Sequence, residues 1–484
     1  MKRQTKGNSM QIEQHVIDRI VREVVNQLSD GSSTSAQNTN GRNDRYAIFQ
    51  DVPSAIAAAE EAQKIWVDTP NKTKKKVIAA LRKAMHDNAD EFAKRAWQET
   101  GMGRFEDKIA KHHNAADATP GLEDLETRSW VGDNGTTVEQ LAPYGVIAAI
   151  TPSTHPIPVM LNSIIITIAP GNAVVFSVHP SAKNTSVYAI EIFERVIREN
   201  GGPANLISMI KEPTMENVQA LFHHKKVSLI AATGGPALVK AAFAVGKKIV
   251  AAGPGNPPVL VDETACLTSA ARHIIDGASF DNNILCIAEK ETFVVNQVFD
   301  AFMQAMEEQG AYRLNAQQIE QLTAKALFKN NKGTIFGTAD YIGKNARVLA
   351  QACGLDIADS VRLLYGEVPA DHPFVIAEQM MPFMPVVCVK DFTEGLKESV
   401  KAEHRFGHTA MIHSNNLANI TAYTKAIDTD IVVVNGPCVS GNGPNAGEGY
   451  FSHTIASPTG EGVCTPRDFA RVRRLAVYKA LQIV

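Results

Sequence analysis

Gly145-Val-Ile-Ala-Ala-Ile-Thr-Pro-Ser-Thr-His-Pro156 reads as a buried strand that stops at a proline-bounded turn and hands over to a helix from about residue 158. Its apolar run has no polar alternation, which is the pattern of a strand covered on both faces. The unit recurs along the chain. A second strand, 173–177, ends in His179-Pro180-Ser181 and is followed by a helix over 185–199. A third strand falls at 206–210, and a fourth at 227–232 ends in Thr233-Gly234-Gly235 before a helix from Pro236. Strands alternating with helices imply a parallel, doubly wound α/β sheet. Ligands of such sheets bind outside the strand carboxyl ends, where helix N-termini offer N–H groups to phosphates. The turns after strands one, two and four are therefore the nucleotide-site candidates. The chain has neither a Gly-x-Gly-x-x-Gly fingerprint nor a Walker motif, so a variant of the dinucleotide fold is expected.

Downstream, the strand 249–252 runs into Gly253-Pro-Gly-Asn-Pro-Pro258 and the strand 259–261. These open a second α/β domain with a helix at 297–308 and strands near 386–389, 410–412 and 431–434. A glycine-rich loop at 435–449 is of a length that is usually functional or mobile. Within this half lies Ala278-Ser-Phe-Asp-Asn-Asn-Ile-Leu-Cys-Ile-Ala-Glu-Lys-Glu-Thr-Phe-Val-Val-Asn296. The turn-prone Asp281-Asn282-Asn283 delivers Cys286 against a buried strand at 292–295. Residue by residue, two readings stand. Cys286 is either a small apolar filler of the core or a nucleophile whose thiolate is favoured by nearby backbone N–H groups.

Upstream, residues 46–125 read as helical, with 3.6-residue apolar spacing over 52–66 and 74–96 and Thr73 as N-cap of the second helix. Asp133-Asn134-Gly135 between alternating runs signals a hairpin, of the kind that serves as an arm for a partner subunit. The apolar positions Ile12, Val16, Ile17, Ile20, Val21, Val24, Val25 and Leu28 make one stripe of an amphipathic helix. A Ser/Asn/Thr/Gly linker follows to residue 45 and cannot bury enough surface to fold. A helix on such a tether suits docking onto another surface better than packing on its own globule. Its acidic residues fit a mitochondrial presequence poorly.

The 484 residues exceed one ordinary core, so two or more domains are expected. With 20% charged residues and a net charge of −3, no polyanion partner is implied. The densest basic cluster, 72–76, reads as a solvated helix start. No apolar run reaches the length of a membrane span. Six cysteines without paired spacing point to a reducing compartment and no structural metal.

Taken together, Ile150-Thr-Pro-Ser-Thr-His-Pro156, Gly171-Asn-Ala-Val-Val-Phe176, His179-Pro180, Ala232-Thr-Gly-Gly235, Ala252-Gly-Pro-Gly-Asn-Pro-Pro258, Phe280-Asp-Asn-Asn-Ile-Leu-Cys-Ile-Ala-Glu-Lys290, Gly407-His-Thr-Ala-Met-Ile-His413 and Pro458-Thr-Gly-Glu-Gly462 resemble the CoA-acylating branch of the aldehyde dehydrogenase family. The chain is most similar to the propionaldehyde and acetaldehyde dehydrogenases packaged in bacterial microcompartments. The pieces span roughly 46–484 in order; each is weak alone, and in register they are specific.

The resemblance implies an encapsulation helix at 1–28 and a linker at 29–45. It implies a cofactor-binding domain at 46–128 and 142–251, a catalytic domain at 252–449, and an oligomerisation arm from 129–141 and 450–484. It also implies the reaction. Cys286 attacks a short aldehyde, acetaldehyde or propionaldehyde, to give a thiohemiacetal, hydride passes to NAD, and coenzyme A removes the acyl group, reversibly. Thr154 matches the family's oxyanion side chain, a hydrogen bond of order 3 kcal/mol by analogy with other oxyanion donors. Thr151, Pro152, Ser153, His179, Pro180, Thr233, Gly234, Gly235 and Gly253 match the NAD pocket, with CoA using an overlapping one. His179 stands where hydrolytic members often carry Lys, which leaves NADP open beside NAD. His155 replaces the branch's usual Asn and either lines the pocket or caps the helix. His408 and His413 are either phosphate contacts or satisfied histidines; Cys438 takes no role.

The hydrolytic relatives place a water-activating Glu where this chain has Ala252, at the same offset from the nucleophile (286 − 252 = 34). Without that base, a thiol acceptor is favoured over water. Three functions follow: a microcompartment CoA-acylating dehydrogenase, a hydrolytic dehydrogenase making free acid, and a non-catalytic cargo or scaffold protein. The retained flank of Cys286 favours the first.

Overall fold

The structure is a computed structural model that describes residues 47–443 and 447–482. The helix and linker expected at 1–45 lie outside the described residues, as do part of the glycine-rich loop and the last two residues.

Val146–Thr151 and Ala173–Val178 are buried at every position, which only a strand with helices on both faces can be. They sit in a six-stranded parallel sheet ordered Ile48–Phe49, Ile207–Ile210, Ala173–Val178, Val146–Thr151, Val227–Thr233, Lys248–Ala252. From Val146–Thr151 the chain winds outward through two strands, then returns to the opposite flank with Val227–Thr233. The order therefore reverses between these two strands, and a crevice opens at their carboxyl ends. The crossover helix Pro156–Ile168 is buried along its whole length. The Trp66 indole donates to its last carbonyl, Ile168 O, at 2.8 Å and so pins the helix Val52–Asp68 to this core.

Residues 253–257 carry the chain from the carboxyl end of Lys248–Ala252 to the amino end of Pro258–Val261. That strand belongs to a seven-stranded parallel sheet ordered Tyr312–Arg313, Leu364–Glu367, Phe383–Val389, Glu291–Val295, Pro258–Val261, Thr409–His413, Ile431–Val434. The five-residue link thus brings the ligand-binding edge of the first sheet to the amino-terminal edge of the second. Glu291–Val295, the strand that follows Cys286, is central and wholly buried.

A third, antiparallel sheet joins Arg128–Gly132, Gly135–Pro143 and Ala470–Tyr478. The segment just before it, 455–469, packs on the first sheet through Ala456, Cys464 and Phe469. The hairpin at 133–135 forms, with a different rationale from the one its sequence suggests. Gly132 pairs with Gly135, so Asp133 and Asn134 are the loop. Gly135 has φ 115, and a Cβ there would stand 2.0 Å from Val477 O of the third strand. Glycine is required there by its positive φ and by that close approach together.

Two helical expectations are corrected. The span 74–96 is two helices, Asn71–Asp87 and Ala89–Thr100, broken where Asn88 Nδ2 donates back to Ala84 O at 2.8 Å. Thr73 is not an N-cap, because Pro70 sets the start and Thr73 lies inside the first turn.

Candidate active site

The three residues ahead of the Cys286 loop are all left-handed: Asp281 (φ 47), Asn282 (φ 55) and Asn283 (φ 67). Asn and Asp tolerate this region, yet each such residue costs up to about 1–2 kcal/mol, so the run must be held from outside. Asn282 Nδ2 donates to Gly343 O (2.9 Å) and Asn345 Oδ1 (2.8 Å). Asn283 Nδ2 donates to Ala278 O and Glu289 O, both at 2.9 Å. Asp281 is fully buried and accepts from Arg104 N at 2.7 Å and from Lys108 Nζ at 3.3 Å, with Lys111 in a second ion pair. Burial opposes ionisation of Asp281, but the charges of Lys111 and Lys108 outweigh it and hold the carboxyl below its usual range.

Cys286 itself is half-buried at the amino end of the central strand. Its thiol is pushed up to about 12, first by burial and then by the charge of Glu378, while Lys290 and the N–H groups of Cys286 and Ile287 pull it down. The expected pull of backbone N–H groups on the thiol is present, but it does not decide the outcome. Desolvation is larger. Lys290 has no exposed surface and donates to Asn283 O (2.9 Å), Asn283 Oδ1 (2.6 Å) and Leu285 O (3.0 Å). Burial pushes Glu378 up to about 7, and Glu289 likewise. Glu289 Oε1 accepts from Cys438 N at 2.8 Å, which ties the glycine-rich loop to the back of the nucleophile segment.

Gly255 is wedged into this group. A Cβ there would lie 2.5 Å from Cys286 O and 3.1 Å from the His408 ring. His408 is buried, with Nδ1 hydrogen-bonded to Thr409 Oγ1 at 2.8 Å and Nε2 without a partner. Burial and the charge of Lys290 lower it to about 4, so its imidazole is neutral. Of the two histidines at this strand, His408 is beside the nucleophile and not satisfied. His413 ends the strand and stacks on His273 at 5.8 Å. Glu378 Oε1 accepts from Gly255 N at 3.3 Å and completes the ring of groups.

The first sheet contributes the facing edge. Thr151 is the last residue of its strand and keeps a buried hydroxyl with no partner, at the point where strand order reverses. Pro152, Ser153 and Thr154 form the half-buried turn beyond it. Lys108 Nζ and Lys111 Nζ both lie 3.4 Å from Thr154 O. These lysines tie the Thr154 turn to Asp281, five residues ahead of Cys286. His155 occupies the N-cap position of Pro156–Ile168 but makes no capping bond. Its Nδ1 is buried without a partner and its ring lies 5.3 Å from that of His453. Of the two readings of His155, capping is excluded.

Across the crevice, Gly234 N donates to Ala252 O at 3.2 Å, placing Thr233, Gly234 and Gly235 beside Ala252 and Gly253. Gly253 has the Pro458 ring against it, close enough that a Cβ at this position would lie 2.9 Å from the ring. His179 and Pro180 stand apart from the others, at the end of the next strand outward. There His179 Nδ1 accepts from Ser181 N at 3.2 Å.

Sequence reading missed Glu378, Lys290, Lys108 and Lys111. Glu378 lies in a loop with no periodic pattern to mark it. The lysines sit in stretches where solvent exposure is the default for that residue type. Among the described residues no group of His, Cys, Asp or Glu could hold a metal ion, and no helix is long and apolar enough to cross a membrane. The six cysteines are all free.

Comparison with known proteins matches residues 43–450 to the aldehyde dehydrogenase family. The acetaldehyde dehydrogenase (acetylating) EutE of Salmonella typhimurium is 42% identical over 475 residues, 97% of this chain and 100% of that protein. Among solved structures, a propionaldehyde dehydrogenase from the fucose utilisation bacterial microcompartment of Clostridium phytofermentans superposes with a TM-score of 0.88 at 40% identity, covering 91% of this chain and 100% of that one. A Rhodopseudomonas palustris propionaldehyde dehydrogenase with bound CoA and an acylated cysteine gives 0.87 at 38% identity, covering 90% and 99%.

Proposed function

The chain belongs to the aldehyde dehydrogenase family, and from that premise we propose that it oxidises a short aldehyde, acetaldehyde or propionaldehyde, to the acyl-CoA with NAD and coenzyme A. The observation that carries the reading is Ala252. A methyl group ends the edge strand immediately before Gly253, where hydrolytic relatives carry the water-activating glutamate. An acyl group on Cys286 then waits for a stronger nucleophile than water.

The switch-point crevice fits a dinucleotide. Its Thr151 hydroxyl is buried without a partner, and it is flanked by the turns at 151–153 and 233–235. When bound there, NAD supplies the acceptor for the hydride that leaves the tetrahedral carbon. The chain's own residues do the rest. The Cys286 sulfur forms the bond to the aldehyde carbon, and the Cys286 N–H and the Thr154 hydroxyl donate to the oxyanion. The neutral Nε2 of His408 and the Glu378 carboxylate are the acceptors for thiol protons at the site. CoA, as second substrate, attacks the thioester carbon; the carbon–Sγ bond breaks and the Cys286 thiolate is restored. One thioester replaces another, so the step is reversible.

Glu378 favours a second reading, hydrolysis, because a carboxyl of pKa about 7 beside the thioester could activate water. NADH formation from acetaldehyde and NAD, with and without CoA, separates the two. Sustained turnover only with CoA is expected; equal turnover without it would establish hydrolysis. No turnover with either aldehyde or with NADP would leave the scaffold role.

The antiparallel arm exposes Trp130, Val131, Val472, Leu475 and Tyr478 by at least half each, a patch suited to a second copy of this chain. Leu475→Asp is expected to lower the mass measured by light scattering, and an unchanged mass would refute the arm's role. The amphipathic segment 10–28 is the docking element for a microcompartment shell or cargo protein, which places the enzyme in the lumen. Deleting 1–42 should abolish encapsulation and leave activity intact; loss of activity would overturn it.

A further inference from the structure

Lys290 immediately precedes the central strand Glu291–Val295 and has no exposed surface. Its three acceptors, Asn283 O, Asn283 Oδ1 and Leu285 O, are neutral oxygens. An ammonium taken out of water costs several kcal/mol unless an opposite charge compensates it, so the groups facing it decide what it is for. They are Glu378, Cys286, Cys438, Glu291, Glu289 and His408. Burial raises the Glu291 carboxyl well above its ordinary value and lifts Glu289 and Glu378 to about 7. His408 is neutral, and the buried Cys438 thiol is pushed well above its ordinary value by burial. Burial lowers the Lys290 ammonium from its ordinary value, and the charges of Glu378 and then Cys286 work against that loss. The Leu285 carbonyl, 3.0 Å from Nζ, belongs to the same peptide unit as the Cys286 N–H. A cation on one end of a peptide polarises the N–H at the other, as cooperative hydrogen-bond chains do.

We propose that Lys290 is a positioning residue for the reaction: it polarises the Leu285–Cys286 peptide toward the oxyanion and supplies the buried positive charge against which the Cys286 thiolate forms. The inference rests on the acyl-transfer reading. The three acceptors call for three N–H donors, which an ammonium has and a neutral amine or amide lacks, and the charge that this keeps in place also acts on Cys286.

The test is alkylation of Cys286 by iodoacetamide from pH 6 to 10, read on the Cys286 peptide by mass spectrometry so that the exposed Cys266 and Cys388 do not contribute. Lys290→Gln should lower the rate at least tenfold at every pH below the thiol pKa, and Lys290→Arg should restore most of it. Equal rates in wild type and Lys290→Gln would overturn the proposal. A second measurement uses wild-type protein alone, at pH 6, where Glu378 is protonated. The iodoacetate-to-iodoacetamide rate ratio at Cys286 should exceed that of N-acetylcysteine, since a neighbouring cation favours the anionic reagent. A ratio at or below the free-thiol value would overturn the proposal even if neither variant folds. Wild type that alkylates as expected but forms no NADH from aldehyde and CoA would refute the acyl-transfer reading and still support the charge pairing.

Discussion

The two edges that meet at the site are built on opposite plans. The first sheet offers short turns at strand carboxyl ends, made of Thr, Pro, Ser and Gly, in which the working groups are mostly backbone. The second sheet offers a loop at a strand amino end, where parallel sheets do not ordinarily bind ligands. It compensates with side chains: three left-handed residues, a buried Asp281 paired with two lysines, and Lys290 beneath the nucleophile. A turn whose function is backbone tolerates side-chain change; a loop whose function is side chains does not. Substitutions on the two edges should therefore differ by orders of magnitude.

The largest effect belongs to Cys286→Ala, which removes the sulfur proposed to carry the acyl group. Acyl-CoA formation should fall by roughly 10⁴-fold or more, as when other covalent nucleophiles are removed. Residual turnover within tenfold of wild type would put the chemistry elsewhere and dissolve the contrast between the edges. Gly255→Ala comes next. Its Cβ would press on Cys286 O at 2.5 Å and on the His408 ring, and overpacking of this kind costs about 1–3 kcal/mol. A misplaced nucleophile loses about 100-fold in rate. Native kcat in Gly255→Ala would show that the loop is softer than its hydrogen bonds imply.

The two edges also differ in how far the sequence revealed them. The first sheet was legible because its strands are uninterrupted apolar runs and each is closed by Pro or Gly. The existence of the second sheet, and of Cys286 at its edge, could be read the same way. The loop's support could not. Lys108 bonds Asp281 across 173 residues, and nothing in the local pattern of the helix Phe105–Ala118 distinguishes a buried lysine from a solvated one. Asp281-Asn282-Asn283 announced a turn, but three consecutive positive φ angles depend on acceptors at 278, 289, 343 and 345. The break at Asn88 was hidden because apolar periodicity runs straight through it. Long-range polar partners, more than apolar pattern, were what the sequence withheld.

Glu289→Gln tests the side-chain plan through pH. Burial raises the Glu289 carboxyl from 4.5 to about 7 in the folded protein. Between those values the native state binds more protons than the unfolded state, so this group's contribution to stability is full below about pH 4.5 and is lost as pH rises through 7. Gln keeps an oxygen for Cys438 N and has no charge to bury. The stability of Glu289→Gln relative to wild type should therefore rise by roughly 3 kcal/mol between pH 4.5 and 8, measured by urea unfolding at both pH values. Five buried histidines, His112, His155, His408, His413 and His453, lose stability in the opposite direction as pH falls, but they are common to both proteins and cancel in the difference. A pH-independent difference would mean that Glu289 is not held neutral.

Thr151→Val is the smallest effect and the most direct probe of the other plan. The Thr151 hydroxyl is buried with no partner at the switch point, and an unsatisfied buried hydroxyl costs about 1–3 kcal/mol. Valine has nearly the same shape, suits a strand end equally well and removes that cost. The free protein should gain up to about 1 kcal/mol, seen as a rise in Tm. If the hydroxyl is reserved for the dinucleotide, its loss should raise the KM for NAD by a few-fold to tenfold with kcat little changed, since one neutral hydrogen bond is worth about 0.5–1.5 kcal/mol. Higher stability with weaker NAD binding would show that the first edge stores a small cost for its ligand. A higher Tm with unchanged KM would leave the backbone of the turns as the whole of the binding site, and the contrast between the two edges would be sharper still.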